Sequence, residues 1–174
     1  MKDLKNPVAL VISFLLTVIL FGASHNCNSQ GQDLIISTDT GLITYELVIN
    51  ADSISADKLF DKAKVWTVET FKSPKMRDVK PSLITTVFNI PVNIGLGVTN
   101  AFYHDVKIKV KDGAVKLIID NIYNDVGHDP AERLFIKDGV ITGKGQKKWL
   151  KQINDNCVSL GKSLQSAIEK KDDW

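Results

Sequence analysis

Apolar and polar residues alternate most clearly in the segment from Tyr103 to Tyr123, YHDVKIKVKDGAVKLIIDNIY. Asp112-Gly113 interrupts the alternation and favours a β-hairpin with a type I′ turn, which has positive φ at both central residues. With these two residues at the tip, one face carries three apolar pairs: Val110 with Val115, Ile108 with Leu117, and Val106 with Ile119. Since a one-residue slip would mix the two faces, the pattern predicts this register and an antiparallel sheet that is buried on one side.

The second face of the same hairpin is basic. It pairs Lys107 with Ile118, Lys109 with Lys116, and Lys111 with Ala114. Either these lysines keep an exposed sheet soluble, or they bind an acidic partner or an anionic glycan, with apolar area added by Ile118 or the two terminal tyrosines of the segment. The candidate binding residues, which we call the lysine face, are Lys107, Lys109, Lys111, Lys116 and Ile118.

Two segments have the three- and four-residue spacing of amphipathic helices. The first runs from Ser55 to Phe71, where Ser55 is placed to cap the N-terminus and Asp57 lies in the first turn. The second runs from Gln146 to Lys171 and carries a long apolar stripe that needs a flat apolar partner. The stripe consists of Trp149, Leu150, Ile153, Cys157, Leu160, Leu164 and Ile168.

Further strands are predicted around the first helix. Residues 42–49 alternate in polarity, and residues 82–90 are rich in β-branched side chains until Pro91 ends the strand or places it at a sheet edge. Residues 93–100 fit a loop or a loop with a short strand, and the second Asp-Gly, within residues 134–142, fits a small hairpin or an irregular loop. Because both helices need a sheet face, we expect a two-layer α+β fold: a mainly antiparallel sheet with two helices on one face and the other face open.

The first residues are typical of a secretory signal. Two lysines precede a continuous apolar run over residues 8–21, which is shorter than the roughly 20 residues that a membrane-spanning helix needs. We therefore predict a signal peptide over residues 1–26, a flexible tether over residues 27–40 and a single domain over residues 41–171.

The two cysteines bear on where the chain resides. Cys27 follows the apolar run, where a bacterial lipoprotein carries its lipidated cysteine, although Asn26 replaces the small residue usual before it. If Cys27 is lipidated or is cut off with the leader, Cys157 has no partner, so a disulfide is not expected. We predict an exported protein of the periplasm or cell envelope that contacts the membrane, if at all, through a lipid anchor at Cys27.

Charge and motifs argue against several activities. The 174 residues carry a formal net charge of +2, too small for the basic footprint of a nucleic-acid-binding protein. Gly161-Lys162-Ser163 resembles the end of a phosphate-binding loop, but Asn156 stands where the upstream glycine is required. A dinucleotide fingerprint that begins at Gly95 fails in the same way.

The histidines form no recognisable site. Asp125, His128 and Asp129 fit a solvated loop better than a set of metal ligands. A Ser/His/Asp hydrolase is disfavoured because the nucleophile-elbow signature is missing. We therefore predict no catalytic residue, no metal ion and no cofactor.

Three stretches of the chain resemble a known family. They are GLITYELVINADSISADKLFDKAKVWTVETFKS at 41–73, VKIKVKDGAVKLIIDNI at 106–122 and KKWLKQINDNCVSLGKSLQSAI at 147–168. They look like the family called domain of unknown function 4468, to which a TATA-binding-protein-like (TBP-like) fold is assigned. Where similar proteins often carry a Gly-rich strand after the first helix, this chain has SLITTVFNIPVNIGLG. The resemblance implies an exported bacterial domain with no assigned activity, and the fold name carries no implication of DNA binding.

These observations favour a non-enzymatic binding or accessory module of the bacterial envelope. Its partner would be an envelope protein or a glycan, held on the open face of the sheet. The alternative is a carrier with a small-ligand pocket between helices and sheet, and a hydrolase is the weakest candidate.

Overall fold

The computed structural model describes residues 30–31, 33–72, 76–80, 82–95, 98–141 and 147–170. The predicted signal peptide and the predicted lipidation at Cys27 lie outside the described residues. Within the described part of the chain, no helix is long and apolar enough to span a membrane.

The described strands are β1 (Gln30–Gly31), β2 (Ile35–Ile36), β3 (Ile43–Asn50), β4 (Met76–Lys80), β5 (Leu83–Gly95), β6 (Val98–Lys111), β7 (Ala114–Asn124), β8 (Ile136–Lys137) and β9 (Val140–Ile141). Seven of them form one antiparallel sheet in the order β1-β3-β7-β6-β5-β4, with β2 also paired to β3. Because β7 occupies one side of β3, the short strands β1 and β2 share its other side. The remaining pair, β8 and β9, confirms the small hairpin that was one interpretation of residues 134–142.

The hairpin register predicted from alternation is confirmed. All six predicted pairs between residues 106–111 and 114–119 are present. The turn type was wrong, because only Gly113 of the Asp112-Gly113 pair has positive φ, at 72°. A contact outside the hairpin holds the tip in this geometry: the Gly113 N–H donates to the Ile54 carbonyl at 3.0 Å.

The segment around Pro91, for which the sequence left the strands undecided, forms regular β-structure. β5 continues through Pro91 to Gly95, and β6 begins at Val98, so these two strands pair over almost their whole length. Pro91 fits because β4 pairs only with the start of β5, up to Thr86. β6 pairs with β5 at Pro91 through Ala101, but among the described residues no strand lies on the other side of β5 there, and proline is tolerated at such an edge.

Among the described residues, three helices pack on one face of the sheet, where two were predicted. They are α1 (Ala56–Phe71), α2 (Ala131–Phe135) and α3 (Lys147–Glu169). The Phe71 ring of α1 lies 4.8 Å from that of Phe88 on β5, centroid to centroid. The Phe135 ring of α2 lies 6.2 Å from that of Phe102 on β6. The missed helix, α2, has five residues, too few for a helical repeat to show in sequence.

The predicted apolar stripe of α3 is its buried side. Its Gly161 lies against Tyr45 and Leu47 of β3. Ile153, Cys157, Leu164 and Ile168 are each at most 1% exposed, and the other stripe residues pack against the same core. The helix therefore covers the centre of the sheet, as the length of the stripe requires.

Residues 33–40, which fall in the predicted tether, are part of the fold. Ile35 and Ile36 pair with β3, and the Leu34 N–H donates to Asn154 Oδ1 on α3 at 3.0 Å. The amide of Asn154 donates in turn to Asp33 Oδ1 at 2.9 Å. The predicted flexible tether is therefore wrong for these residues. Two hydrogen bonds with Asn154 of α3 and the pairing of β2 with β3 hold them in the fold.

The N-terminus of α1 is capped by the hairpin rather than by its own sequence. Ser55 occupies the N-cap position but makes no side-chain cap hydrogen bond. Instead, the Ala56 N–H donates to Asp112 Oδ1 at the hairpin tip, at 2.8 Å. We expect Asp112→Ala to lower the free energy of unfolding by about 1 kcal/mol, measured by urea denaturation. Asp112→Asn retains an acceptor and serves as the control, and an equally large loss in Ser55→Ala would contradict the assignment.

Candidate binding surface

The sheet face opposite the helices carries the lysine face. Its residues alternate along β6 and β7 with the apolar pairs that point into the core. Lys109 and Lys111 are exposed, and no carboxylate of the described residues forms an ion pair with either. These two side chains are the part of the lysine face that is open to a partner.

The rest of the lysine face forms a closed cluster. Lys107 Nζ lies 2.6 Å from Asp120 Oδ2, and Lys116 Nζ lies 2.7 Å from Glu46 Oε2. In register, Ile118 lies between Glu46 on β3 and Lys107 on β6. Lys116 and Asp120 are its second neighbours along β7. Two diagonal ion pairs therefore surround Ile118, which is only 9% exposed and offers little apolar contact area.

Sequence reasoning missed the two carboxylates of this cluster. Glu46 could not be placed beside Lys116 from the sequence, because the pairing of β3 with β7 was not predicted. Asp120 had a signal, since the predicted hairpin register already placed it diagonally across from Lys107. The lysine face is therefore narrower than the sequence suggested, and its binding of a partner stays a prediction.

At the far end of the same face, three rings form what we call the aromatic row: Tyr103, Tyr123 and His128. The two tyrosines are cross-strand neighbours. Their ring centroids are 5.5 Å apart and their planes differ by 19°, so the rings are stacked. The His128 ring continues the row at 6.0 Å from Tyr123.

A β-bulge creates the aromatic row. If the hairpin register continued without interruption, Ile122 would lie opposite Tyr103. Instead, β7 holds an extra residue at Asn121, whose φ is 51°. Tyr123 therefore faces Tyr103 on the open side, and Ile122 turns into the core, where it is 1% exposed. Bulges re-aim side chains in this way, and alternation alone does not reveal them.

The helix-covered face contains polar side chains without partners. Both ring nitrogens of His104, Thr86 Oγ1 and Asn100 Oδ1 are buried and find no hydrogen-bond partner among the residues that the structure describes. His104 is 0% exposed and stands edge-on to Phe88, with ring centroids 5.6 Å apart. Desolvation lowers the pKa of His104 to about 4. A polar contact with the backbone of Phe102 raises the pKa and so offsets part of this shift. The contact does not meet the geometry of a hydrogen bond.

The part of the chain that runs from β3 through α1 to β7 matches a known domain family. Residues 45–124 match the model of a domain of unknown function (DUF4468) with TBP-like fold. This confirms both the resemblance and the predicted α+β fold. No curated protein matches the chain.

Two solved structures share the TBP-like fold. A crystal structure of a DUF4468 family protein from Bacteroides ovatus is 13% identical, with a TM-score of 0.65 over 81% of this chain and 95% of that chain. A crystal structure of a TBP-like protein from Parabacteroides distasonis is 10% identical, with a TM-score of 0.56 over 75% of this chain and 97% of that chain. At these identities the likeness establishes the fold alone.

The chemical motifs of the sequence have structural roles in this TBP-like domain. Gly161-Lys162-Ser163 lies within α3, where Ser163 Oγ accepts a hydrogen bond from Trp66 Nε1 of α1 at 3.0 Å. Burial raises the pKa of the Cys157 thiol to about 12, so the thiolate is scarce at neutral pH. Within the described residues, no three His, Cys, Asp or Glu side chains come together as a metal site.

Proposed function

We propose that this chain is an exported, non-enzymatic binding module of the bacterial envelope that contacts its partner through the open face of the sheet. The observation that carries the proposal is the exposure of Lys109 and Lys111, without ion-pair partners among the described residues, on a face that no described helix covers. Adjacent cations of this kind attract an acidic protein surface or an anionic glycan. The apolar leader supports the export component.

The environment of the reactive side chains supports a non-enzymatic role. A nucleophile or a general base must reach its substrate and hold a suitable pKa. Cys157 is buried with a raised pKa, and His104 is enclosed beneath α1 with a lowered pKa. Neither side chain is available to a molecule in solution.

A crosslinked pull-down from intact cell envelopes tests the proposal. The bait would be the wild-type protein, a Lys109→Glu/Lys111→Glu variant and a matched control, Lys58→Glu/Lys64→Glu. The control makes the same charge change on exposed positions of α1. We expect one partner to be captured by the wild type and the control but lost in the Lys109/Lys111 variant, with circular dichroism showing that all three are folded.

Two outcomes would count against the proposal. If both charge variants lose the partner, net charge rather than the open face governs capture. If neither loses it, the two lysines serve solubility only.

A small-ligand carrier is the second candidate, and the unpartnered groups beneath the helices favour it. Buried polar groups without partners are rare and call for an explanation such as an ordered water or a ligand. Thr86 and His104 lie close together in register on β5 and β6, on the face that α1 covers. Native mass spectrometry would show a co-purified small molecule that is lost in Thr86→Val. A protein that is always empty would remove this candidate.

A further inference from the structure

The aromatic row has features that the lysine face does not share. Tyr103 and Tyr123 are half-buried rather than packed in the core. One face of the Tyr103 ring is covered by Tyr123. On the other side of Tyr103 lies β5, where exposed Asn89 is its register partner. A flat apolar ring thus stands beside an amide on an open sheet.

The fold holds this row in place with two unusual backbone positions. Asn121 and His128 both have φ of 51°, a region that non-glycine residues seldom occupy. The turn that carries His128 is closed by a hydrogen bond from the Asn124 N–H to the Asp129 carbonyl, at 3.0 Å. Departures of this kind cluster at sites of function, and here both serve to align rings on the open face.

The polar groups around the row determine which ligand it suits. Asn89 and Asn121 are exposed, and side-chain amides supply both donors and acceptors. The Asn121 amide nitrogen already donates to Asp105 Oδ2 at 3.3 Å, so its contribution to a ligand is chiefly the acceptor oxygen. The cations nearest in sequence to the row are already engaged: Lys107 with Asp120 at 2.6 Å and Arg133 with Asp129 at 2.5 Å. An anionic ligand therefore finds no free described cation at this end of the face.

We propose that the aromatic row is a binding site for a neutral saccharide. A sugar ring has an apolar face of C–H groups that would pack on the exposed part of the Tyr103 ring, and a rim of hydroxyls that would bond to Asn89 and Asn121. Tyrosine suits this role because it offers rigid, amphipathic contact area at low entropic cost. The site is separate from Lys109 and Lys111, so it stands or falls independently of the acidic-partner proposal.

Titration with neutral oligosaccharides tests the site. The probes are hexasaccharides of β-linked glucose, xylose, mannose and N-acetylglucosamine, followed by saturation-transfer NMR and calorimetry on the domain. We expect at least one to bind, and Tyr103→Ala to weaken it about tenfold or more. Tyr103→Phe keeps the ring and should stay within about threefold of the wild type. Asn89→Ala, which disturbs no core packing, should weaken binding as well.

The matched control is Lys109→Glu/Lys111→Glu, which should bind the same sugar as the wild type. Failure of all four probes to bind at millimolar concentration would overturn the proposal. So would binding that survives both Tyr103→Ala and Asn89→Ala in folded protein. In the Lys109→Glu/Lys111→Glu variant, whose lysine face can no longer attract an anion, preference for a heparin fragment over the neutral sugars would show that the row recognises charge instead, and would equally overturn the proposal.

Discussion

Lowering the pH from 6.5 to 4 is expected to remove about 3 kcal/mol from the free energy of unfolding through His104 alone. Burial lowers the pKa of this histidine from 6.5 to about 4 in the folded protein. Between those two values the unfolded chain binds a proton that the folded protein excludes, so acid favours unfolding. Below about pH 4 both states are protonated and this contribution is complete.

The His104→Leu variant isolates this effect. Leucine removes the titrating group and both unpartnered ring nitrogens, so the variant should be about as stable as the wild type at pH 8 and more stable at pH 4.5. The measurement is urea unfolding at a series of pH values. Carboxylates also protonate at the acid end, but they do so in both proteins and cancel in the difference.

His128→Gln is the matched control, because it removes an exposed histidine from the same domain. His104→Leu should depart from the pH dependence of the wild type and of this control alike. If His104→Leu follows the wild type across the whole range, His104 does not carry the acid sensitivity, and its burial without hydrogen bonds needs another explanation.

The features predicted correctly from sequence are those that short-range pattern determines. The hairpin register follows from period-two alternation on both sides of one Asp-Gly, and the long helix follows from a stripe of seven residues. A shifted hairpin register or a rotated helix would each expose many apolar side chains at once. The free energy of burying those side chains therefore selects one register and one buried side of the helix.

The features that were missed depend on contacts between distant segments. Asp112 was expected to adopt positive φ, but its carboxylate caps α1, and the neighbouring glycine is bonded to the loop after β3. The second Asp-Gly has no such contacts described, and there both residues have positive φ, at 53° for Asp138 and 74° for Gly139. The same dipeptide therefore forms different turns according to its surroundings.

The candidate binding surface likewise combines features that short-range pattern predicts with features that depend on contacts between distant segments. Alternation placed all five residues of the lysine face correctly, but only the tertiary pairing reveals that Lys116 is neutralised by Glu46. The single extra residue at Asn121 exchanges Ile122 for Tyr123 on the open face. An insertion of one residue in a strand leaves composition unchanged and reverses the side of every residue after it.

Replacing Gly161 with alanine is expected to destabilise the domain by about 2 kcal/mol. A Cβ at this position would overlap the Tyr45 hydroxyl and lie 2.9 Å from Leu47 Cδ2. Both neighbours are buried, at 1% and 3% exposure, so neither can move aside without disturbing the core. On an exposed helix surface the same substitution would stabilise by about 1 kcal/mol, because alanine has the higher helix propensity.

The Tyr45→Phe substitution tests the cause, because it removes the oxygen that the new methyl group would meet. The double variant should recover about 1 kcal/mol relative to the sum of the single variants, measured by urea unfolding. Ser159→Ala, at an exposed position of the same helix, controls for helix propensity and should be neutral or slightly stabilising. If Gly161→Ala behaves like Ser159→Ala, α3 does not lie as close to β3 as the structure shows. If it destabilises without coupling to Tyr45, the contact with Leu47 rather than the hydroxyl sets the distance between helix and sheet.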